Sequence, residues 1–135
     1  MFVYIPMPTP IYLFTKSEVS LFWKKCDNAR MSAATELTNM IIDFIYRQGG
    51  YAWRASSVGV FDTKQMHFRA AAKKGVADIL ACYRGQLIAV EVKIGKDRLS
   101  DEQEGFLRNI RAAGGNACVA KDFDGFREWF LKQYP

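Results

Sequence analysis

Two opposite charges stand two residues apart within an otherwise apolar run, residues 87–94. If this run is a β-strand, Glu91 and Lys93 lie on the same face, because side chains alternate between the two faces of a strand. Burial of charged groups is costly unless they pair or bind a metal. The two residues are therefore either an ion pair on a solvated sheet face or part of a catalytic site.

A second apolar run, residues 76–83, precedes the first and adds a carboxylate. Arg84-Gly85 between the two runs predicts a β-hairpin with a two-residue loop. With that loop, Asp78 pairs with Glu91. Directly opposed residues have Cβ atoms about 4.5–5.5 Å apart, where like charges repel. Two carboxylates so placed are expected to bind a divalent cation, although a longer loop or a bulge would shift the register.

The ligands available for such a cation are oxygen atoms. The chain contains one histidine, His67, and three widely spaced cysteines without a C-x-x-C pair: Cys26, Cys82 and Cys118. This pattern argues against a zinc site, a multi-histidine site and a disulfide framework, and it favours a reducing compartment. Oxygen ligands favour Mg²⁺ or Mn²⁺.

Composition limits the classes of partner. The chain has 135 residues, 50% of them hydrophobic, which fits one domain with a single core. Its net charge of +5 suits a polyanionic partner without identifying one. The apolar residues 1–14 lack a basic start and are interrupted by three prolines, so they predict neither a signal peptide nor a membrane span. A cytoplasmic protein is expected.

Two helices can be predicted from their ends. Ser32 is an expected N-cap, and Gly49-Gly50 an expected end, for an amphipathic helix. Residues 100–103 form a capping box that opens a second helix, which should end at Gly114-Gly115. The inward positions are Leu37, Met40, Ile41, Phe44 and Ile45 in the first helix and Phe106, Leu107 and Ile110 in the second.

The remaining elements complete an α/β fold. Residues 51–55 and 116–120 predict strands, aromatic residues from Phe123 to Phe130 predict a last helix, and residues 56–74 show no clear periodicity. The order α-β-β-β-α-β-α predicts a central mixed β-sheet flanked by helices. Residues 1–30 fit this order poorly. They are expected to be an appendage, packed on the domain formed by residues 31–135 or on a second subunit, or else an extension before a natural start at Met31.

The spacing Gly75-x-x-Asp78 followed by Glu91-x-Lys93 resembles the motif of the PD-(D/E)xK nuclease superfamily, with Ala77 where proline gives that motif its name. A closer resemblance, over residues 35–121, is to the virus-type replication-repair nuclease (VRR-NUC) family. It implies a restriction-endonuclease-like core and a metal-dependent DNA endonuclease. The further matching positions are Glu36, Trp53-Arg54, Gly95, Leu99-Ser100, Gln103 and Gly114-Gly115.

The resemblance implies a role for each matching residue. Asp78 and Glu91 would ligate Mg²⁺ or Mn²⁺ together with the carbonyl of Val92, and Lys93 would hold or activate the attacking water. A cation lowers the pKa of bound water and stabilises charge on the phosphate, and a nearby ammonium helps both effects. The residue types therefore suit hydrolysis of a phosphodiester.

Several further residues have two interpretations each. Glu36 is a candidate metal ligand and catalytic residue by resemblance, or simply a first-turn acid that stabilises its helix. Gln103 is expected to serve both the capping box and the catalytic site. His67 is expected to be structural or exposed, and Trp53 to lie in the core. Candidates for phosphate contacts, which a solvated loop would also explain, are Arg54, Ser56, Ser57, Arg69, Lys73 and Lys74.

Three functions are compatible with this pattern. Small stand-alone members of the family resemble Holliday-junction resolvases, which implies a homodimer that cuts branched DNA, since a two-fold dimer matches a junction that needs two symmetric cuts. The alternatives are a monomeric flap or end-processing nuclease and a DNA-binding module that has lost catalysis. Neither a nucleotide cofactor nor a membrane partner is indicated. By resemblance alone, the gene is expected to come from a phage or prophage and to act in the bacterial cytoplasm.

Overall fold

The computed structural model describes residues 31–55, 60–69 and 73–135. Ser32–Pro135 forms one compact unit. The elements described are α1 (Ala33–Arg47), β1 (Tyr51–Arg54), β2 (Val60–Asp62), β3 (His67–Arg69), β4 (Ile79–Tyr83), β5 (Gln86–Val92), α2 (Asp101–Ala112), β6 (Asn116–Ala120) and α3 (Phe123–Gln133). None of these helices is long and apolar enough to cross a membrane. The predictions for residues 1–30, Ser56 and Ser57 lie outside the described residues.

A four-stranded mixed sheet forms the centre of this unit, with strand order β1-β4-β5-β6. The pairs β1–β4 and β4–β5 are antiparallel, and β5–β6 is parallel. Parallel neighbours need a crossover connection, and α2 lies between β5 and β6 in the chain. The predicted α/β fold, a mixed sheet flanked by helices, is confirmed.

The predicted element order is wrong in one segment. Within residues 56–74, where no element was expected, β2 and β3 pair as a second, two-stranded antiparallel sheet. Each strand has only three residues, which is too short to show alternation. Their turn also lacks glycine, and Met66 adopts a positive φ of 50° there. The observed order of the described elements is α-β-β-β-β-β-α-β-α.

The four-stranded sheet is covered by helices on both faces. One face packs against α1 and α3, where the ring of Phe44 meets Phe123, Phe126 and Phe130 edge to face. The other face packs against α2 through Leu107, with Phe106 and Ile110 partly buried beside it. Small residues line this second layer: Ala89 and Ala117 of the sheet and Ala77, which precedes β4. Because β5 is buried on both sides, a charged side chain on it is shielded from water.

Local capping explains where the helices begin. Ser32 caps α1, and its Oγ accepts a hydrogen bond from the Thr35 backbone N–H at 3.2 Å. Ser100 caps α2 in the predicted capping box, with Oγ accepting from the Gln103 N–H at 3.2 Å. The capping box fixes the conformation of the first turn of α2. This turn carries Gln103, a residue of the candidate site.

Candidate active site

The β4–β5 hairpin has the register that the tight turn predicts. Ile79 pairs with Val90, and the ladder continues to the turn at Arg84-Gly85. Both turn residues have positive φ, 49° for Arg84 and 77° for Gly85, as a type I′ turn requires. The predicted register is therefore confirmed as far as Ile79. It brings Asp78, the next residue, to the level of Glu91.

Asp78 lies just outside the ladder, because β4 begins at Ile79 rather than at residue 76 as predicted. Its Oδ2 accepts a hydrogen bond from the backbone N–H of Val92 at 2.8 Å. Its backbone carbonyl accepts one from the N–H of Ala55, also at 2.8 Å. At the end of the β4–β5 ladder, the side chain of Asp78 therefore replaces a backbone carbonyl as the acceptor for β5. This hydrogen bond holds the Asp78 carboxylate beside the end of β5.

Glu91 is a charged residue within the core, with 1% of its surface exposed. Its Oε1 accepts from the Lys93 ammonium, at 3.0 Å, and from the Gln103 side-chain amide. Its Oε2 is buried and has no hydrogen-bond partner among the residues that the structure describes. A buried carboxylate oxygen without a partner is costly, so one half of this carboxylate is satisfied by the protein and the other half is not.

Burial raises the pKa of Glu91 above its usual value, and the negative charge of Asp78 raises it further. The hydrogen bond and positive charge of Lys93, together with the backbone of Asp78, lower this pKa in part. The protein alone therefore does not fully stabilise the carboxylate. A cation between Asp78 and Glu91 would offset both the burial of the Glu91 carboxylate and its repulsion from Asp78.

Lys93 is positioned by main-chain pairing just beyond β5. Its backbone N–H donates to the carbonyl of Ala120 at 2.9 Å, which continues the alignment of β5 with β6. The side chain is 15% exposed. The ammonium is thus anchored on Glu91 while part of the side chain remains accessible to solvent.

Gln103 connects the helix cap with the carboxylate, as the sequence predicts. Its Oε1 accepts from the Ser100 backbone N–H at 3.0 Å, which completes the capping box. Its Nε2 donates to Oε1 of Glu91. One side chain therefore joins the start of α2 to the face of β5 that carries Glu91.

A close contact that the sequence prediction missed holds the segment before Asp78 against α2. A Cβ added to Gly75 would lie 2.5 Å from the carbonyl oxygen of Glu102 and 2.8 Å from the backbone nitrogen of Gln103. Gly75 also has a positive φ of 72°. Both features require glycine. The Gly75-x-x-Asp78 spacing was the available signal, but nothing in it indicated a contact with α2.

The oxygen atoms present fit a hard cation. Asp78 lies near Glu91, and one oxygen of Glu91 lacks a hydrogen-bond partner among the described residues. Mg²⁺ typically uses one or two carboxylates and completes its coordination with water and substrate phosphate. Within residues 31–55, 60–69 and 73–135, no three Asp, Glu, His or Cys side chains form a group that could hold a metal. Glu36 is exposed in the first turn of α1. This helix packs on the face of the sheet opposite to the face that carries Glu91.

The predicted phosphate contacts are dispersed. Arg54 pairs with Ile79, whose side chain packs in the α1–α3 layer, so Arg54 lies on the face opposite Glu91. Lys73 and Lys74 are exposed near the first turn of α2, and the Lys73 ammonium lies 5.9 Å from the centre of the Phe106 ring. Arg69 and His67 belong to β3, but their side chains lie outside the described set.

The prediction that Trp53 lies in the core is wrong, because 40% of its surface is exposed. β1 is an edge strand, and α2 contacts β5 and β6 without contacting β1. The strand itself is confirmed as β1 (Tyr51–Arg54), but α2, the helix on the face of Trp53, lies over β5 and β6.

Comparison with known proteins identifies a family. The model of the VRR-NUC domain matches residues 53–123, more than half of the chain, and this range contains Asp78, Glu91, Lys93 and Gln103. No curated protein matches the sequence significantly. Among solved structures, the chain is similar to Hjc, a Holliday junction resolvase from the archaeal hyperthermophile Archaeoglobus fulgidus. That match has 24% sequence identity and a TM-score of 0.46, and it covers 65% of this chain and 67% of Hjc.

Proposed function

Because this chain belongs to the VRR-NUC family of nucleases, we propose that it is a divalent-metal-dependent endonuclease that hydrolyses phosphodiester bonds in branched DNA. The observation that supports the metal dependence is the buried Oε2 of Glu91, which has no hydrogen-bond partner in the described part of the chain although Asp78 is close enough to raise the pKa of Glu91. A cation shared by the two carboxylates would offset this cost.

The donor atoms favour Mg²⁺ or Mn²⁺. Asp78 and Glu91 would hold the ion, with the carbonyl of Val92 as the further protein ligand that the family resemblance implies. A divalent cation in such a site lowers the pKa of a coordinated water and stabilises the charge that grows on the phosphate. Glu36 remains a candidate for a further ligand by resemblance, although it is exposed and does not join the two carboxylates in a three-residue group.

The side chains of Lys93 and Gln103, which contact Glu91, have separate roles in the proposed reaction. The Lys93 ammonium, 3.0 Å from Oε1 of Glu91, would orient the attacking water or a phosphate oxygen. Gln103 would keep Oε1 in place, so that Oε2 remains directed to the ion. In the reaction, the attacking water loses a proton as its oxygen bonds to phosphorus, the bond from phosphorus to the leaving oxygen breaks, and the leaving oxygen takes up a proton.

Branched DNA and a homodimer are the substrate and assembly that the resemblance to small stand-alone family members implies. A two-fold dimer would present two sites to the two symmetric strands of a junction. The net charge of +5 and the exposed Lys73 and Lys74, just before Asp78, suit contacts with phosphates. Such contacts give affinity without sequence preference.

The test compares DNA shapes at constant sequence. Purified protein is incubated with a four-way junction, a flap and a linear duplex, in Mg²⁺, Mn²⁺ or EDTA. We expect metal-dependent nicks near the branch point. Lys93→Ala should abolish cutting, whereas Lys96→Ala, at a neighbouring exposed lysine, should not. Equal cutting by Lys93→Ala would reject the assignment.

Two further measurements separate the alternatives. Calorimetry with Mn²⁺ should show binding that Asp78→Asn abolishes, and DNA binding without such uptake would indicate a module that has lost catalysis. Sedimentation should show a dimer. A monomer that cuts flaps in preference to junctions would support the end-processing alternative instead.

A further inference from the structure

Two aromatic side chains at the edge of the sheet are unusually exposed. Tyr51 has 62% and Trp53 has 40% of its surface accessible. They stand two residues apart on β1, so they share a face of the sheet. Their ring centroids are 5.8 Å apart, with an angle of 42° between the ring planes. Together they form what we call the aromatic surface.

The helix layer leaves this surface uncovered. In the sheet register, Tyr51 pairs with Cys82 and Trp53 with Leu80, which places all four side chains on the face where α2 packs. Among the described elements, however, α2 lies over β5 and β6, and its layer extends only to Leu80 of β4. Cys82 is accordingly exposed too. The β1 edge of this face of the sheet is thus open in the described part of the chain.

The aromatic surface borders the candidate active site. The hydrogen bond from the Ala55 N–H to the Asp78 carbonyl extends the β1–β4 register by one pair, so Trp53 is a diagonal neighbour of Asp78. Diagonal neighbours on one face are separated by about 7–8 Å, within reach of an aromatic side chain. Glu91 projects from the same face. A phosphate bound through a cation at Asp78 and Glu91 would therefore bring its attached nucleoside near Trp53.

We propose that Tyr51 and Trp53 form a stacking site for an unpaired base of the DNA strand adjacent to the cut, a proposal that rests on the proposed nuclease function. Every base presents a π-face, so stacking tolerates any sequence. Bases inside a duplex are already stacked on their neighbours. The site therefore selects DNA that offers an unpaired base, such as a branch point with unpaired nucleotides or a flap.

The position of the surface favours DNA over a protein partner. A second copy of the chain packed on Trp53 would lie against Asp78 and would obstruct the approach of the phosphate. A base belonging to that phosphate's own strand would instead arrive with it. Stacking of this base on Trp53 would thus position the DNA strand in the active site as well as increase the affinity for DNA.

The experiment uses the full chain and two junctions of equal sequence, one fully paired and one with two unpaired nucleotides at the branch point. A 2-aminopurine in the unpaired position reports stacking through quenching of its fluorescence. Trp53→Ala should weaken binding of the interrupted junction by about 5- to 100-fold and abolish the quenching. It should change binding of the paired junction little. Trp53→Phe should restore most of both signals, whereas Trp53→Leu, which keeps apolar bulk without a π-face, should not.

Controls separate this proposal from the others. Leu131→Ala removes an exposed apolar side chain from α3 and should leave both signals unchanged. Unchanged quenching and affinity in Trp53→Ala would overturn the stacking site without contradicting the proposed nuclease function. A switch from dimer to monomer in Trp53→Ala would also overturn it, by showing an interface between copies. Failure of the nuclease function would appear separately, as a wild-type protein that cuts neither junction in Mg²⁺ or Mn²⁺ although its quenching persists.

Discussion

The side-chain amide of Gln103 donates to Oε1 of Glu91 while the carbonyl oxygen of the same side chain accepts from the Ser100 backbone N–H. Gln103 thus takes part in two structures at once, the cap of α2 and the carboxylate of the candidate site. The two roles can be separated because Ser100 takes part only in the cap.

Gln103→Ala and Ser100→Ala should therefore differ in activity more than in stability. Each removes the capping box and should cost about 1 kcal/mol of folding free energy. Only Gln103→Ala also removes a hydrogen bond from the Glu91 carboxylate. Loss of such a supporting hydrogen bond typically reduces activity about 10- to 100-fold. Thermal melts and single-turnover cleavage of a junction provide the two measurements. Equal activity of the two variants would mean that Gln103 acts only as a cap.

Glu91→Gln should stabilise the metal-free protein. Burial raises the pKa of Glu91, which means that the folded protein disfavours the charged carboxylate relative to water. A neutral amide of the same shape removes this cost, so the melting temperature in EDTA at neutral pH should rise. The same change should abolish cleavage and the stabilisation that Mn²⁺ confers on the wild type. A lower melting temperature in EDTA would show that the ion pair with Lys93 outweighs the cost of burial.

The site's core was predictable because it depends on local rules. Arg84-Gly85 determines a tight turn, the turn determines the register, and the register places Asp78 beside Glu91. The capping box at Ser100 is equally local. In such cases the residues that decide the structure are only a few positions apart, and the physical chemistry of turns and caps suffices.

The remainder depends on packing between distant segments. Whether Trp53 is buried depends on which strands α2 covers, and no pattern within β1 contains that information. The contact of Gly75 with Glu102 likewise joins segments on either side of the hairpin. The short β2–β3 pair escaped prediction for a different reason, since three residues per strand carry too little periodicity.

Lys73 and Lys74 provide a prediction about DNA affinity. If both contact phosphates, the double variant Lys73→Ala/Lys74→Ala should weaken binding equally for all sequences, and the slope of log affinity against log salt should fall by about two. Lys132→Ala, an exposed lysine in the last turn of α3, is the matched control and should leave the slope unchanged. An unaltered slope in the double variant would place these two lysines away from the DNA.

Gly75→Ala and Gly85→Ala provide a matched pair, because both glycines have positive φ, 72° and 77° respectively. An alanine in this backbone region costs about 1–2 kcal/mol. At Gly85 the added Cβ meets nothing within 4 Å, so only this cost in stability is expected. At Gly75 the Cβ would lie 2.5 Å from the Glu102 carbonyl oxygen, so the segment leading to Asp78 must move away from the helix that carries Gln103. Gly75→Ala should therefore lose cleavage activity as well as stability, whereas Gly85→Ala should keep its kcat. Melting curves and single-turnover rates measured on one junction decide this, and a Gly75→Ala protein with wild-type kcat would show that the close contact does not position Asp78.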